Sequence, residues 1–535
     1  MPGHGRLKQK DTTTRILAVP KSSPRRVATR RCAAAIESVC ADAGQAGGRA
    51  SSFLATKNRG PMRVHGLILV LLTACRLPLA ERAEPALDVP ATWRAASAST
   101  NALLTDWWRQ FGSAEIDALV TEALGSSPNL QAAAARVEQS RLRAQLAGAE
   151  LLPQVNVSLD GSRQQNNFIG LPIPGSSGGV LTSRATTYRL SLATSWELDL
   201  WGRIRAGQFA ALADGEAARA DLEGARQSLA AQTVKAWTAL TEARQQFNLV
   251  QTNLVIAQAS AQQAQLRFEL GVRPALEMRM AQANLELIRA QQEQWSAVTA
   301  TAQRQLELLL GRYPRGAIVG ATQWPEPLKP VPAGLPSELL ARRPDIVAAR
   351  LRLLAGDARV VEAKAGLYPQ FSLTASTGTT SPELGKLLDN DLKVWALGAN
   401  LLQPVFNGGR LRTHVELKQA QVAEAVASYR AVVLNAFAEV ETALATEGLW
   451  AQRESKLAAA IAQAQEALRL ADDRYTRGLE PLLTVLEAQR RVSDAQSQHV
   501  AVRRVRLENR VNFHLALGGG FAVRPAEIIS QEAQR

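Results

Sequence analysis

The sequence predicts a mainly α protein with a small β part, in which short strands run straight into very long helices. Three observations predict it. Aromatic residues make up only 5% of the 535 positions, while Ala, Gln, Arg and Leu fill long tracts, the profile of long packed helices. Segments such as Tyr188-Arg189-Leu190-Ser191-Leu192 alternate with the period of a strand. The same order of helix and strand signals is written twice along the chain.

The first 61 residues show no periodicity and read as an unstructured leader or the product of a mis-set start codon. They hold twelve Lys or Arg against three Asp or Glu, so +9 of the formal +14 sits there and only +5 is left for the rest. That remainder is a weak nucleic-acid signal, and no nucleic-acid partner is expected. Met62 is the expected true start. Met62-Arg63-Val64-His65-Gly66 followed by LILVLLTA is a basic start and a short apolar run, as in a secretory signal over 62–74. The run is too short to span a bilayer stably. Leu72-Thr73-Ala74-Cys75 resembles a bacterial lipobox, after which Cys75 would be acylated. Arg76, rather than an aspartate, follows and favours the outer membrane. The alternative is a chance cysteine at an ordinary cleavage site. Cys32 and Cys40 are the only other cysteines, so neither a disulfide framework nor a cysteine metal site is available after Cys75.

An N-terminal segment with a first helix fills 75–127, and two repeats follow at 128–311 and 344–518 around a linker at 312–343. A tail covers 519–535. Pro128 opens a helix that ends at Leu152-Pro153-Gln154, and Pro344 opens one that ends at Tyr368-Pro369-Gln370. Proline starts each helix and stops it. Strand-like QVNVSLD and QFSLTAS come next. Leu200-Trp201-Gly202-Arg203 then aligns with Asn407-Gly408-Gly409-Arg410, and Arg267-Phe268-Glu269-Leu270-Gly271 with Arg474-Tyr475-Thr476-Arg477-Gly478. The offset is 216 at the prolines and 207 at the later pairs; the first repeat carries the extra loop between its strands. Each repeat therefore reads helix, strand, loop, strand, very long helix, turn, long helix.

The helix after Gly202 is expected to run to about Leu270, on the order of 100 Å. Ala236, Leu240, Ala243, Phe247, Val250, Leu254, Ala257, Ala261, Ala264 and Phe268 alternate steps of four and three, an a/d seam for pairing with another helix. A soluble helical bundle would show the same seam. Leu190, Leu192, Trp196 and Leu198 lie on one side of their strand, with Arg189, Ser191, Glu197 and Asp199 on the other; Trp395, Leu397, Ala399 and Leu401 repeat the pattern. A soluble sandwich also alternates. Four strands cannot close a barrel, and an open edge cannot face lipid. Three chains would supply twelve strands, which is within the range of membrane barrels. A barrel that continues as a helical tube explains the abrupt change at Gly202 and Gly409, where glycine lets the chain bend.

WELDLWGR, the PNLQAA and RPDIVAA openings, the LLPQ and LYPQ stops, FNGGRLR and the RFELG and RYTRGL turns resemble the outer-membrane factors of tripartite efflux pumps, the TolC/OprM-like family. Trp107-Trp108-Arg109-Gln110-Phe111 and Ile116-Asp117-Ala118-Leu119 match the family's opening segment, and the likeness runs from about Cys75 to Phe521. The lipobox and WELDLWGR place the chain nearer the OprM/NodT-like lipoprotein branch. The resemblance implies a homotrimer with a twelve-stranded outer-membrane β-barrel, four strands per chain, continuous with a periplasmic α-helical barrel. It implies a passive exit duct for drugs or small toxic compounds in an RND-type system, without cofactors, served by an inner-membrane transporter and a periplasmic membrane-fusion adaptor. The tip residues Arg267, Gly271, Val272, Arg474, Gly478 and Leu479 would dock the adaptor; a glycine that merely breaks a helix is the simpler reading. Leu483 and Glu487 match the family's periplasmic gate, where three glutamates would form an acidic ring favouring cations. An ordinary solvated glutamate is the alternative, and Asp472 and Asp473 would add negative charge nearby. Other classes compete: a type I protein-secretion duct, or a non-conducting envelope coiled-coil scaffold. Enzyme readings find little support, because His4, His65, His414, His499 and His514 are scattered and no nucleophile elbow, phosphate loop or metal spacing is present.

Overall fold

The computed structural model describes residues 90, 92–94, 106–168, 181–321, 323–325 and 336–519. The chain divides into two units, Met1–Val70 and Leu71–Arg535, and every described residue lies in the second. The leader, the signal segment, Cys75, the loop tip at 169–180, part of the 312–343 linker and the tail beyond 519 lie outside the described residues.

Proline at the first helical position opens α2 (Pro128–Ala149) and α6 (Pro344–Ala365), each 22 residues long. Pro153 and Pro369 end the following turns, and the chain enters strands β1 (Gln154–Phe168) and β3 (Gln370–Ser381). Strands β2 (Leu181–Leu198) and β4 (Lys393–Leu402) lead into helices α3 (Arg203–Glu269) and α7 (Arg410–Thr476), each of 67 residues. Helices α4 (Ala275–Leu309) and α8 (Leu482–Ala516) have 35 residues each. The halves thus agree element by element, and their helices agree in length; β1 and β2, of 15 and 18 residues, outrun β3 and β4, of 12 and 10. Helix α1 (Ala114–Ser126) precedes the first half, capped by the Ser113 hydroxyl, and α5 (Pro336–Arg342) precedes the second. The linker is less open than its composition suggests. Glu307 accepts the Gly316 and Ala317 amides at 2.6 Å each, and Trp324 donates to Gln245 at 2.6 Å.

The four strands form one antiparallel sheet in the order β1-β2-β3-β4. The two hairpins share one register: Gln154 faces Ser195, and Gln370 faces Leu402. The halves meet where β2 pairs with β3, with Trp196 opposite Leu373. The core lies among the helices. Trp107, Trp108 and Phe111 pack with Val234, Trp237, Leu306 and Val511 in one cluster. Trp93, Ile346, Val433, Val440 and Phe513 form a second. The N-terminal segment therefore binds both halves. Nearer the sheet, α3 and α6 approach through small side chains, Ala210 and Ala213 against Ala355 and Ala358, flanked by the ion pairs Asp214–Arg359 and Asp221–Arg352. The heptad seam on α3 holds where Leu240, Ala243, Val250, Ala257, Ala261 and Ala264 are buried; Phe268, at its end, is exposed.

The last turn of each half returns to the start of the same half. Gly311 follows α4 and abuts the α1–α2 turn, while Gly518 follows α8 and abuts the α5–α6 turn. A Cβ at Gly311 would come within 2.9 Å of the Ser126 carbonyl oxygen, and one at Gly518 would overlap that of Arg342. Gly518 also has φ +88°, so Gly518→Ala combines left-handed strain with a backbone clash. The expected loss is about 2–3 kcal/mol, read from chemical denaturation. Gly271→Ala, at φ +70° in open space, is the control and should cost only about 1 kcal/mol. Equal losses would show that the Gly518 joint is not tightly packed.

Candidate channel wall, tips and gate

The sheet separates polarity by face. Val155, Val157, Leu159, Leu190, Leu192, Trp196, Leu373, Leu397 and Leu401 share one face by register. Most are exposed, so no layer of the described residues covers them. The other face carries Asn156, Ser158, Asp160, Arg189, Ser191, Ser372, Thr374 and Ser376. Asp160 and Arg189 are direct register partners there, so charge on that face is locally balanced. Strands β1 and β4 each leave one edge unpaired among the described residues. An exposed apolar face bounded by two free edges is unsuited to a closed soluble sandwich. Among the described residues no helix is long and apolar enough to cross a membrane.

The strand-to-helix junctions differ in chemistry. Gly202 (φ +75°) turns the chain, and Asp199 then accepts the Ile204 and Arg205 amides at 3.1 and 2.9 Å, supplying the start of α3 with acceptors. Glu197 holds Arg203 with two hydrogen bonds, at 3.1 and 2.9 Å. The Trp201 indole donates to the Pro369 carbonyl at 2.7 Å and stacks on Tyr368 with centroids 5.0 Å apart. Gly408 and Gly409 both have positive φ, but α7 has no side-chain cap, and Val405 and Phe406 beside it are 93% and 91% exposed. The reading of the two glycines as bends missed Asp199, Glu197 and Trp201, although an acid just ahead of a helix was the available signal.

Each helical hairpin turns through the same hydrogen-bond pattern. The Val272 amide reaches back to the Arg267 carbonyl and the Leu479 amide to that of Arg474, both at 2.9 Å, around Gly271 and Gly478. Pro274 and Pro481 then start α4 and α8. The two tips are brought together. Arg267 lies 4.7 Å from the centroid of buried Tyr475, within a cluster that includes Ala261, Ala281, Ala471, Leu482 and Val485. Leu270, Val272, Leu276 and Leu479 remain exposed around this point, and Arg474 pairs with Glu480 at 3.2 Å.

Leu483 and Glu487 stand one turn apart on α8, with Leu483 exposed. Glu487 is not a bare carboxylate. Arg490 donates to both its oxygens, at 2.9 and 3.1 Å, and Arg491 to one at 3.1 Å; Arg490 also pairs with Asp494 at 3.6 Å. Hydrogen bonds from Arg490 and then Arg491 hold the Glu487 carboxyl below the usual carboxylate range. One such cluster therefore carries two acids and two guanidiniums. Asp473 is taken by Arg477 at 2.9 Å, so it too is locally balanced.

An exposed apolar strand face running directly into paired helical hairpins defines a channel-forming envelope protein. The outer membrane efflux protein family model matches residues 119–312 and 335–519, and the chain belongs to that family. The pyoverdine export outer membrane protein OpmQ of Pseudomonas putida is 35% identical over 464 residues, covering 84% of this chain and 95% of the relative. The toluene efflux pump outer membrane protein TtgF of Pseudomonas putida is 31% identical over 419 residues, covering 78% and 85%. The solved outer-membrane channel OprN aligns at a TM-score of 0.73 and 28% identity, over 82% of this chain and 99% of that one. The protein is thus an efflux channel of the outer membrane and not an enzyme.

Proposed function

We propose that three copies assemble into one duct of a tripartite, RND-type pump. Their twelve strands close a barrel in the outer membrane, with the Leu159–Leu192–Leu397 face toward lipid and the Ser158–Ser191 face toward water. Their helices continue as a periplasmic tube. Cys75 anchors each chain by acylation. The exposed tip around Gly271 and Gly478 receives the periplasmic adaptor, an inner-membrane transporter supplies energy, and Leu483 with Glu487 narrows the periplasmic end. Relatives named for pyoverdine export and for toluene efflux support a passive duct that takes chemically unlike small molecules. The observation that carries this reading is the four-stranded sheet with one exposed apolar face and two open edges.

Planar-bilayer recording tests it. The chain with Leu483→Ala and Glu487→Ala is expected to conduct several-fold more current than the unchanged protein. Glu487→Ala alone should shift permeability toward anions, because Arg490 and Arg491 lose their shared carboxylate. A chain that carries no current even with both gate residues removed defeats the channel reading. For the anchor, Cys75→Ser should abolish a lipid mass increment that the unchanged protein carries.

A further inference from the structure

The β1–β2 hairpin continues past the rest of the sheet. Strand β3 pairs with β2 only as far as Ser381, opposite Tyr188, whereas β1 and β2 stay paired on to Phe168 and Leu181. From Ser162 to Asn167, and from Thr182 to Thr187, neither face carries a large apolar side chain. The apolar face therefore ends at Gly161 and Tyr188. Helices α2, α3, α6 and α7 join the opposite end of the sheet, at Gln154, Leu198, Gln370 and Leu402, so the hairpin projects away from them.

Between Asp160 and Glu197 the chain has no acidic residue but three arginines, Arg163, Arg184 and Arg189. Register divides them. Arg189 faces the polar side, opposite Asp160. Arg163 lies opposite Thr186 and Arg184 opposite Gln165, both on the face that carries Leu159 and Leu192. They are diagonal neighbours, about 7–8 Å apart. Both are exposed, and neither makes an ion pair among the described residues. Gln165 accepts the Arg184 Nε–H at 2.8 Å, which orients that guanidinium and leaves its terminal amino groups for another ligand. Like charges held this close on a strand pair repel, and no carboxylate of the hairpin shares their face. The β3–β4 connection is unlike it: Glu383 pairs with Lys386 at 3.0 Å, and Asp389 and Asp391 follow.

Height decides what those charges meet. On the same face Trp196 lies near the helix end of β2, and Tyr188 stands eight residues away. At about 3.4 Å per residue and a tilt of about 40°, the two rings are roughly 20 Å apart along the membrane normal, close to the girdles of an apolar band about 25 Å tall. Arg163 and Arg184 come about 5 and 10 Å further out, at the level of the lipid headgroups. We propose that this pair binds the phosphate groups of lipopolysaccharide in the outer leaflet. The proposal rests on the outer-membrane barrel proposed above. Guanidinium pairs with phosphate through two parallel hydrogen bonds, and a phosphate seated between the arginines removes their repulsion. The phosphates of that glycolipid carry no cation of their own, unlike those of zwitterionic phospholipids, so a pair of cations with no acid beside it complements them.

Titration of fluorescein-labelled lipopolysaccharide onto the full chain in neutral detergent tests the site. Arg163→Gln with Arg184→Gln should weaken binding about tenfold, and enzymatic removal of the lipid's phosphates should weaken it by a similar factor for the unchanged protein. Arg189→Gln makes the same charge change on the other face and should leave binding nearly unchanged. Equal affinity of the double variant, equal affinity for the dephosphorylated lipid, or an equal loss in Arg189→Gln overturns the proposal. Phosphatidylglycerol that competes as well as lipopolysaccharide overturns the choice of lipid. Planar-bilayer recording of the double variant, with Leu483→Ala and Glu487→Ala to open the gate, separates this site from the duct. Unaltered lipid binding in a chain that conducts removes the site alone; a chain that carries no current, with or without the arginines, removes the barrel and the site with it.

Discussion

Trp107→Ala is expected to lower the unfolding free energy by about 3–5 kcal/mol, the range for emptying a large aromatic site in a close-packed core. Trp107 is 1% exposed and meets several separate parts of the chain. Its indole N–H donates to Gln227 on α3 at 3.0 Å. Trp108 and Phe111 stand edge-on to it, at 5.8 and 6.2 Å, and His514 near the end of α8 stacks on it at 5.3 Å. The ring thus holds the N-terminal segment, the first long helix and the last helix in one place, and truncation loses contacts on every side. Trp107→Phe keeps the stacking but leaves the Gln227 carbonyl oxygen without its donor, and should cost about 1–3 kcal/mol. Denaturant titration followed by circular dichroism measures both; a loss below about 1 kcal/mol for the alanine variant would mean that the N-terminal segment is a passive strap.

What could be read in advance was whatever one stretch of chain decides for itself. Pro128 and Pro344 start helices because proline lacks the N–H that a first turn does not need, and the equal 22-residue helices follow. The one-sided strands were legible because the period of two is local. The turns at Gly271 and Gly478 were legible because a left-handed residue is needed to close them. The chemistry of contact between distant segments was not. Glu197 and Asp199 looked like the polar side of a strand, yet they fasten the start of α3. The Glu487 ring reads from the sequence as bare carboxylates, because which acid Arg490 and Arg491 turn toward is set by side-chain rotamers and not by spacing. In the sequence His514 is one of five scattered histidines. Its partner Trp107 lies some 400 positions earlier, and no local pattern announces such a stack.

Acidification is expected to weaken the same joint through His514. The imidazole is 1% exposed, and its Nδ1 has no hydrogen-bond partner among the described residues. Burial, and then the nearby Arg510 guanidinium, push it down to about 3 from the ordinary 6.5. Arg510 itself is held by Glu447 at 2.6 Å. The folded protein therefore keeps His514 neutral at pH values where the unfolded chain protonates it. Stability from this group is complete above the unfolded value of 6.5 and is lost as the pH falls from there toward 3. At pH 5 the loss is about 2 kcal/mol. Glu307, held low first by the Gly316 amide, and Glu487 lose their contributions only below the ordinary carboxylate value of 4.5, so they do not act between pH 7 and pH 5. His499 is also pushed down, by burial and then by Arg503, but it is only half-buried and its share is screened. His514→Phe fills the same stack against Trp107 and cannot take a proton. Denaturant midpoints between pH 7 and pH 5 should fall for the unchanged protein and stay nearly level for the variant. A variant that still loses stability over that interval would place the proton uptake elsewhere. The level curve would make the stack of Trp107 on His514 the point at which periplasmic acidity reaches the joint between the N-terminal segment and the last helix.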